Sequence, residues 1–309
     1  MASLKYRISL NLGGGAARGL AHIGVLRSLE ESAIAYDIII GVSMGAFIGN
    51  IYAIVPESDF VKNRVRQWLN SDAVQNSVVM SYHKRMKESA RNIIKKINAF
   101  ATRTGVLGRT LLTPAMLAAE EVSEAFYPYI APINLENTRL PFACNAVSLN
   151  TGAISVFSSG PMRPAVLASA AMPMVFPPVE IGGQYYCDGG VLDKVGLDAA
   201  QMLKVKKTIV VDVSNENSEP VALRNALDIM LRTEEIASIY RRERQLKKAT
   251  VVLRPIRGNI HWADYSMIDE MIDMGYEETR NKTAEIREKL GLTNPFRRLF
   301  SMFRRRMTR

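Results

Sequence analysis

The chain has 309 residues and carries 40 lysines and arginines against 30 aspartates and glutamates, a formal net charge of +10. Hydrophobic residues make up 48% of it and charged residues 23%, which excludes an intrinsically disordered chain and fits one large or two smaller folded domains. Two cysteines, Cys144 and Cys187, are too few for a disulfide framework and lack zinc-site spacing, so we expect both to be buried and no metal to be bound.

Membrane-spanning and secreted proteins are also disfavoured by the sequence. No run of 18 apolar residues is present, and the apolar part of the first 11 residues is too short for a secretory signal. We therefore expect a cytoplasmic protein whose basic surplus contacts nucleic acid, anionic lipid or no partner.

Two strand–turn–helix units open the chain. A strand is predicted over Ile8–Leu12 and stops at three glycines, and helical spacing runs from Leu20 to Glu31. The β-branched run 38–40 predicts a buried parallel strand, and a helix follows it to about Val55.

After a middle region of different composition, the rest of the chain alternates predicted strands with predicted helices. Residues 56–135 are richer in charge and mostly helical in pattern, so we interpret them as a helical insertion or lid, with a helix start at 113–114. Beyond it, strands are predicted at 141–147, 154–157, 185–187, 208–213 and 250–253, and helices at 164–171, 221–246 and 264–290. This alternation predicts an α/β fold, a mostly parallel sheet with helices on both faces.

The sharpest chemical feature is a GxSxG sequence, Gly41-Val42-Ser43-Met44-Gly45, between a predicted strand and a helix. Its two glycines allow a sharp turn that exposes the Ser43 hydroxyl at the carboxyl end of the sheet, where open α/β folds bind ligands. This pattern predicts a serine nucleophile, whereas the simpler interpretation is a helix-capping serine in a glycine turn.

A glycine-rich loop, residues 13–19, occupies the same position after the first strand. Consecutive glycines let backbone N–H groups converge, and the following helix N-terminus adds positive potential, so the loop suits a phosphate or an oxyanion. A P-loop is disfavoured because the Gly-Lys-Ser/Thr end is absent, and a dinucleotide site because Arg18 stands at the third glycine position.

The general base is left open by the residues themselves. A serine nucleophile needs a proton acceptor, usually a histidine oriented by an acid. The chain has three histidines, of which His22 follows the glycine loop, His83 lies in a basic stretch and His261 lies late in the chain. Asp188, followed by two glycines at a predicted strand end, is the other candidate, provided that its surroundings raise the pKa of its carboxyl.

Together, residues 12–26, 41–46 and 188–190 resemble the patatin-like phospholipase family, with supporting similarity at 156–160 and 176–180. The resemblance covers about Tyr6–Val213 and is much weaker over 56–135. It implies a three-layer αβα fold and a serine lipid acyl hydrolase of phospholipase A type that cleaves fatty-acyl esters of membrane phospholipids without a cofactor.

The same resemblance implies a Ser–Asp dyad without a catalytic histidine. Ser43 would be the nucleophile and Asp188 the general base. An oxyanion hole would be formed by the N–H groups of Gly13, Gly14 and Gly15 with the help of Arg18. The turns that present the dyad would depend on Gly41, Gly45, Gly189 and Gly190.

The chain departs from the family pattern at four positions. Ala16 replaces the fourth glycine of the first loop, and Val42 stands where threonine usually precedes the serine. After the Asp-Gly-Gly motif, Lys194 and Gly196 stand where the family usually has asparagine and proline, in the loop that supports Asp188.

The positive charge is concentrated in two segments. Residues 289–309 carry +7 and residues 82–97 carry +5, which leaves −2 for the rest of the chain. We divide the chain into a catalytic domain, 1–290, and a basic amphipathic tail, 291–309. On a helix, the tail would place Phe296, Leu299, Phe300 and Phe303 opposite Arg297, Arg298, Arg304 and Arg305.

This tail pattern is typical of an anchor at an anionic membrane surface, here the inner face of a membrane, and its phenylalanines argue against nucleic acid. Residues 82–100 repeat the pattern and could be a lid or a plain surface helix. Two other functions remain open, a soluble serine esterase or acyltransferase of the same fold and a catalytically silent membrane-binding regulatory protein.

Overall fold

The computed structural model describes residues 6–77, 115–215, 223 and 226–292. These residues build one sheet of eight strands. The strands are β1 (Ile8–Leu12), β2 (Ile38–Gly41), β3 (Phe142–Ser148), β4 (Ile154–Phe157), β5 (Val179–Ile181), β6 (Gln184–Asp188), β7 (Lys207–Val211) and β8 (Val251–Leu253). Every strand expected from the sequence is present. Strand β5 was not expected, because it has only three residues and follows a stretch rich in proline.

The sheet order is β5-β6-β3-β2-β1-β7-β8, and β4 also pairs with β3. Neighbours from β3 to β8 along this order run parallel. Strands β4 and β6 are antiparallel to β3, and β5 is antiparallel to β6. The carboxyl ends of five parallel strands therefore meet at one edge, the usual place for ligands in such sheets.

Ten helices are described in these ranges. They are α1 (Ala21–Glu31), α2 (Met44–Ile54), α3 (Ser58–Leu69), α4 (Asp72–Gln75), α5 (Ala119–Phe126), α6 (Met162–Ala170), α7 (Leu197–Met202), α8 (Ala226–Leu246), α9 (Ile268–Asn281) and α10 (Thr283–Leu290). The expected helix start at 113–114, the segment 82–100 and the tail from residue 293 onward lie outside the described residues.

The single helix expected over 264–290 is wrong, because α9 and α10 are separate helices that meet at Lys282. The hydroxyl of Thr279 donates to the carbonyl of Gly275, and that of Thr283 donates to the carbonyl of Thr279. Such bonds to carbonyls four residues earlier bend helices, and hydrophobic spacing alone does not reveal them.

Helices cover both faces of the sheet, as expected. Leu10, Leu12 and Ile39 belong to the large core formed with α1, α2 and α9. Ile38 and Ile40 point the opposite way and pack against α7. Because successive strand residues alternate between faces, the continuous apolar runs of β1 and β2 reflect a sheet that is covered on both sides.

One helix crossing depends on two glycines. A Cβ atom at Gly24 of α1 would lie 1.8 Å from the carbonyl oxygen of Ile272, and one at Gly275 of α9 would lie 2.0 Å from that of Ala21. Only glycine permits this approach. The crossing holds α9 against the helix that extends from the glycine-rich loop.

The two cysteines are free and buried, as expected. No helix in the described ranges is both long and apolar enough to cross a membrane.

Candidate active site

Ser43 occupies a strained turn between β2 and α2, with φ +54° and ψ −121°. Residues other than glycine rarely adopt this backbone conformation, and such strained residues are concentrated at functional sites. A Cβ atom at Gly45 would lie 2.0 Å from the carbonyl oxygen of Leu12, and one at Gly41 would lie 2.4 Å from the Cα of Ala46. The GxSxG pattern therefore forms the sharp strand-to-helix turn that it predicts.

Strand β3 brings Asp188 to this turn. Gly41, the last residue of β2, is opposite Cys144 of β3, and Asp188 of β6 is opposite Ala146, two residues further along. Asp188 therefore lies just beyond the point where the chain turns at Ser43. The two predicted dyad residues meet in space, and the Ser43 hydroxyl lies close enough to the Asp188 carboxylate to lower the pKa of its carboxyl.

The backbone holds the Asp188 carboxylate on the other side. Its Oδ1 accepts from the N–H of Gly190 at 2.7 Å, and the N–H of Asp188 donates to the carbonyl of Ala171 at 2.9 Å. Burial raises the pKa of Asp188 to about 6, although the Ser43 hydroxyl, the N–H of Gly190 and the charge of Lys194 oppose the rise. A carboxylate with this pKa is a far better base near neutral pH than an exposed aspartate.

Both described histidines have hydrogen-bond partners other than Ser43. His22 is fully buried, its Nε2 lies 2.8 Å from the carbonyl oxygen of Gly13, and burial lowers its pKa to about 4. It is therefore a neutral side chain that donates to the glycine-rich loop. His261 is exposed, and its Nδ1 accepts from the N–H of Ala263. His83 lies outside the described residues.

Two of the expected oxyanion donors have other partners, which is a correction to the sequence-based expectation. The N–H of Gly13 donates to the carbonyl of Val211 at 3.0 Å, and that of Gly14 donates to the carbonyl of Lys194 at 2.9 Å. These bonds tie the loop to its neighbours, so neither N–H is directed at a substrate.

Other amides in the same turn remain available. In the described part of the chain, the N–H groups of Gly15, Ala16 and Met44 have no hydrogen-bond acceptor. Ala16 and Met44 line the same pocket as Ser43. An amide directly after the nucleophile is a common oxyanion donor in serine hydrolases with this turn. Gly15 therefore keeps its expected role as a candidate, and Ala16 and Met44 join it.

Arg18 does not lie where the sequence suggested. Its Nη1 donates to the carbonyl of Ile260 at 3.2 Å, and the residue is not among those that line the pocket at Ser43. Burial lowers the pKa of Arg18, the charges of Asp212 and Glu235 oppose this shift, and the charge of Arg242 adds to it. Direct contact between Arg18 and an oxyanion at Ser43 is therefore not supported.

The loop after Asp188 is held by buried polar groups that carry no sequence motif. Asp193 is fully buried and accepts from the N–H groups of Leu197 and Ala199, both at 2.9 Å. Asn145 of β3 donates to Asp193 from the other side. Gly196 has φ +67°, which explains a glycine here where the family usually has proline. The loop is therefore well supported despite its departures.

Ser169 of α6 is a further site residue that sequence reasoning missed. It is fully buried, and its hydroxyl accepts from the N–H of Ser43 at 3.1 Å. This bond holds the nucleophile turn from the side of α6. The only sequence signal is a serine in a small-residue helix, which is too common to single out.

An apolar pocket opens beside Ser43 and measures about 720 Å3 with its mouth included. Among the described residues, no charged side chain lines it. The lining comprises Ala16, Ser43, Met44, Phe47, Trp68, Val74, Ser77, Leu117, Ala125, Phe126, Ala170, Met172, Val175, Phe176, Trp262 and Tyr265. Such a pocket suits an acyl chain and excludes a charged group.

Comparison with known proteins places this site in context. Residues 10–200 match the sequence profile of the family described as Patatin-like phospholipase. An NTE family protein of Mycobacterium tuberculosis is 31% identical over 222 residues, which cover 71% of this chain and 52% of that protein. Lysophospholipase NTE1 of Kluyveromyces lactis is 25% identical over 312 residues, which cover 91% of this chain and 19% of that protein.

The chain therefore spans about half the length of the mycobacterial relative and less than a fifth of the yeast one. Among solved structures, VipD from Legionella pneumophila matches with a TM-score of 0.48 and 15% identity. That match covers 91% of this chain and 67% of VipD.

Proposed function

Because the chain belongs to the patatin-like phospholipase family, a family of lipid hydrolases, we propose that it is a serine acyl hydrolase of phospholipase A type. It would cleave the fatty-acyl esters of membrane phospholipids or lysophospholipids. The observation that carries the proposal is the approach of the Ser43 hydroxyl to the buried Asp188 carboxylate, in a strained turn at the wall of an apolar pocket.

The proposed reaction begins with proton transfer from the Ser43 hydroxyl to Asp188 as the serine oxygen attacks the ester carbonyl. The N–H groups of Gly15, Ala16 and Met44 would stabilise the resulting oxyanion, and one such donor typically contributes about 3–4 kcal/mol to lowering the barrier. Asp188 then returns the proton to the departing alcohol, which leaves an acyl group on Ser43. Asp188 next takes a proton from a water molecule that attacks the acyl carbonyl, and it returns this proton to the Ser43 oxygen as the bond to the acyl group breaks and the fatty acid leaves.

The pocket supports the assignment of the acyl side of the substrate. Its aromatic wall includes Phe47, Trp68 and Phe126, with ring centroids about 5 Å apart. A fatty-acyl chain placed among these rings would bury apolar surface, which contributes roughly 0.8 kcal/mol for each methylene group. Because no charged side chain is among the described lining residues, we expect the polar head group of the substrate to lie outside the pocket.

The test is fatty-acid release from lysophospholipid micelles and phospholipid vesicles by the wild type, Ser43→Ala and Asp188→Asn. We expect each variant to lose at least about a thousandfold in kcat. Ser159→Ala, which changes an exposed serine outside the pocket lining, is the matched control and should retain activity. Near-normal turnover by either folded dyad variant would contradict the proposal, and a wild type inactive on every ester would favour the regulatory protein.

Association with an anionic membrane surface is the second part of the proposal. It depends on the basic amphipathic tail, in which Phe296, Phe300 and Phe303 alternate with arginines. A basic residue that reaches an anionic surface contributes about 1 kcal/mol to binding. Deletion of residues 295–309 should sharply reduce co-flotation with anionic liposomes, and unchanged flotation would contradict this role.

A further inference from the structure

Two aromatic side chains in the wall of the apolar pocket carry polar groups without a hydrogen-bond partner in the described part of the chain. Trp68 of α3 and Tyr265, in the turn before α9, both line the pocket. Trp68 is only 3% exposed, and its indole Nε1 is buried with no acceptor. Among the described residues, the hydroxyl of Tyr265 forms no hydrogen bond either.

The two side chains are adjacent and well held. Their ring centroids lie 5.8 Å apart, and their planes meet at 78°. Trp68 also packs against Phe47 at 4.9 Å and against Phe126 at 5.3 Å, so three other lining residues fix its ring. Burial raises the pKa of the Tyr265 phenol above its ordinary value, because its hydroxyl is removed from water. The pocket wall therefore holds a fixed polar patch among apolar side chains.

Such a patch has a cost unless a ligand bonds to it. A buried N–H or hydroxyl group without a hydrogen bond has lost its hydration and gained nothing in return. A plain fatty-acyl chain has no atom that bonds to Trp68 or Tyr265, so it would fill the pocket and leave both groups unpaired. An oxygen atom on the chain would accept from the indole N–H, and a hydroxyl there would also donate to the phenol.

The charge of the lining restricts the kind of oxygen. No charged side chain is among the described lining residues, so a carboxylate or a phosphate inside the pocket would be uncompensated. An uncharged hydroxyl or carbonyl oxygen carries no such penalty. The patch is therefore suited to an uncharged oxygen on an otherwise apolar chain.

We propose that Trp68 and Tyr265 form a specificity site for an oxygenated fatty-acyl chain, one that carries a hydroxyl or carbonyl oxygen along its length. The inference rests on the proposed hydrolase function and names the acyl class of its substrate. A site built to bond a substrate oxygen discriminates strongly against the analogue that lacks it, because the polar groups of the site are then left unpaired.

The first test compares esters that share one head group and one chain length. The chains are plain or carry a hydroxyl near the ester, in mid-chain or at the far end, and kcat/KM is measured for each. At least one hydroxylated ester should be preferred over the plain one by about tenfold or more. Tyr265→Phe and Trp68→Phe should each lower this preference about fivefold. Tyr185→Phe is the matched control, since Tyr185 is 49% exposed and outside the pocket lining.

Two results would overturn the inference. One is a wild type that prefers none of the hydroxylated esters, which would mean that water or no molecule bonds to the patch. The other is an equal loss on hydroxylated and plain esters in Tyr265→Phe, which would assign the hydroxyl to folding rather than to specificity.

A binding measurement separates this inference from the hydrolase proposal. Trp68 and Trp262 are the two tryptophans of the chain, so Trp68 is the only one left in the full-length protein with Ser43→Ala and Trp262→Phe. Titration with uncharged fatty-acid methyl esters should show about tenfold tighter binding of the preferred hydroxylated chain. It should also shift the Trp68 emission to longer wavelength, as the indole N–H gains an acceptor. Both results would support the site even if the wild type hydrolyses no ester, whereas equal affinities would overturn it and leave the hydrolase proposal intact.

Discussion

Replacement of Asp188 by asparagine should make the folded protein more stable while removing its proposed activity. Asp188 is only 7% exposed, and its carboxyl is ionised at neutral pH. Because this charge is removed from water on folding, it lowers the stability of the folded state. Asparagine has nearly the same shape and remains uncharged at every pH. Its side-chain oxygen can still accept from the N–H of Gly190, as the carboxylate does at 2.7 Å.

The size of the gain follows from the pKa. Burial raises the pKa of Asp188 from 3.8 to about 6. The pKa of Asp188 is higher in the folded state than in the unfolded state, so its contribution to the free energy of unfolding is most favourable below about pH 4, where the carboxyl is protonated in both states. This contribution is lost as the pH rises through 6. At about 1.4 kcal/mol for each pH unit, ionised Asp188 therefore destabilises the fold by about 3 kcal/mol above pH 6, and asparagine removes this cost.

The assay is calorimetric unfolding of the wild type and Asp188→Asn between pH 4 and pH 8. At pH 8 the variant should have a Tm several degrees higher, and the difference should disappear toward pH 4. Asp273→Asn is the control, because Asp273 is exposed on α9 and surface substitutions usually change stability by less than about 0.5 kcal/mol. A variant that is less stable than the wild type, or a difference independent of pH, would refute this reasoning.

Two further predictions concern activity. Asp188 must be deprotonated to act as a base, and its pKa is about 6. We therefore expect kcat/KM for an uncharged monoacylglycerol to fall about tenfold per pH unit below pH 6. A profile of kcat/KM that stays flat from pH 7 to pH 4.5 would contradict this. Met172→Trp should fill part of the pocket and lower kcat/KM at least about tenfold more for sixteen-carbon than for eight-carbon acyl esters. Met202→Trp, on an exposed part of α7, should leave this chain-length ratio unchanged, and equal losses on both esters for Met172→Trp would show that the pocket does not hold the acyl chain.

The turns at Ser43 and after Asp188 could be predicted from the sequence because each follows local rules. Gly41 and Gly45 mark a strand-to-helix turn whose geometry depends only on nearby residues, and two glycines mark the bend after Asp188. The parallel strands β1 and β2 were predicted for a similar reason, since β-branched and apolar runs bounded by glycine have few alternatives. The αβα fold follows from the alternation of such runs with helices.

Partners across the sheet could not be predicted in the same way. The N–H groups of Gly13 and Gly14 donate to the carbonyls of Val211 and Lys194, which are about 200 and 180 positions away in the chain. That outcome depends on the register between β1 and β7 and on the course of the loop before α7. The hydrogen bond from Ser43 to Ser169 likewise depends on where α6 packs, which no local pattern specifies.

The central claim is that Ser43, activated by Asp188, carries the acyl group of a lipid ester. The most direct test is rapid acid quenching of the enzyme during lysophospholipid turnover, followed by peptide mass spectrometry. The account predicts an added acyl group on the peptide that contains Ser43 in the wild type and none in Ser43→Ala or Asp188→Asn. An acyl group on another residue, or undiminished formation in Asp188→Asn, would contradict it.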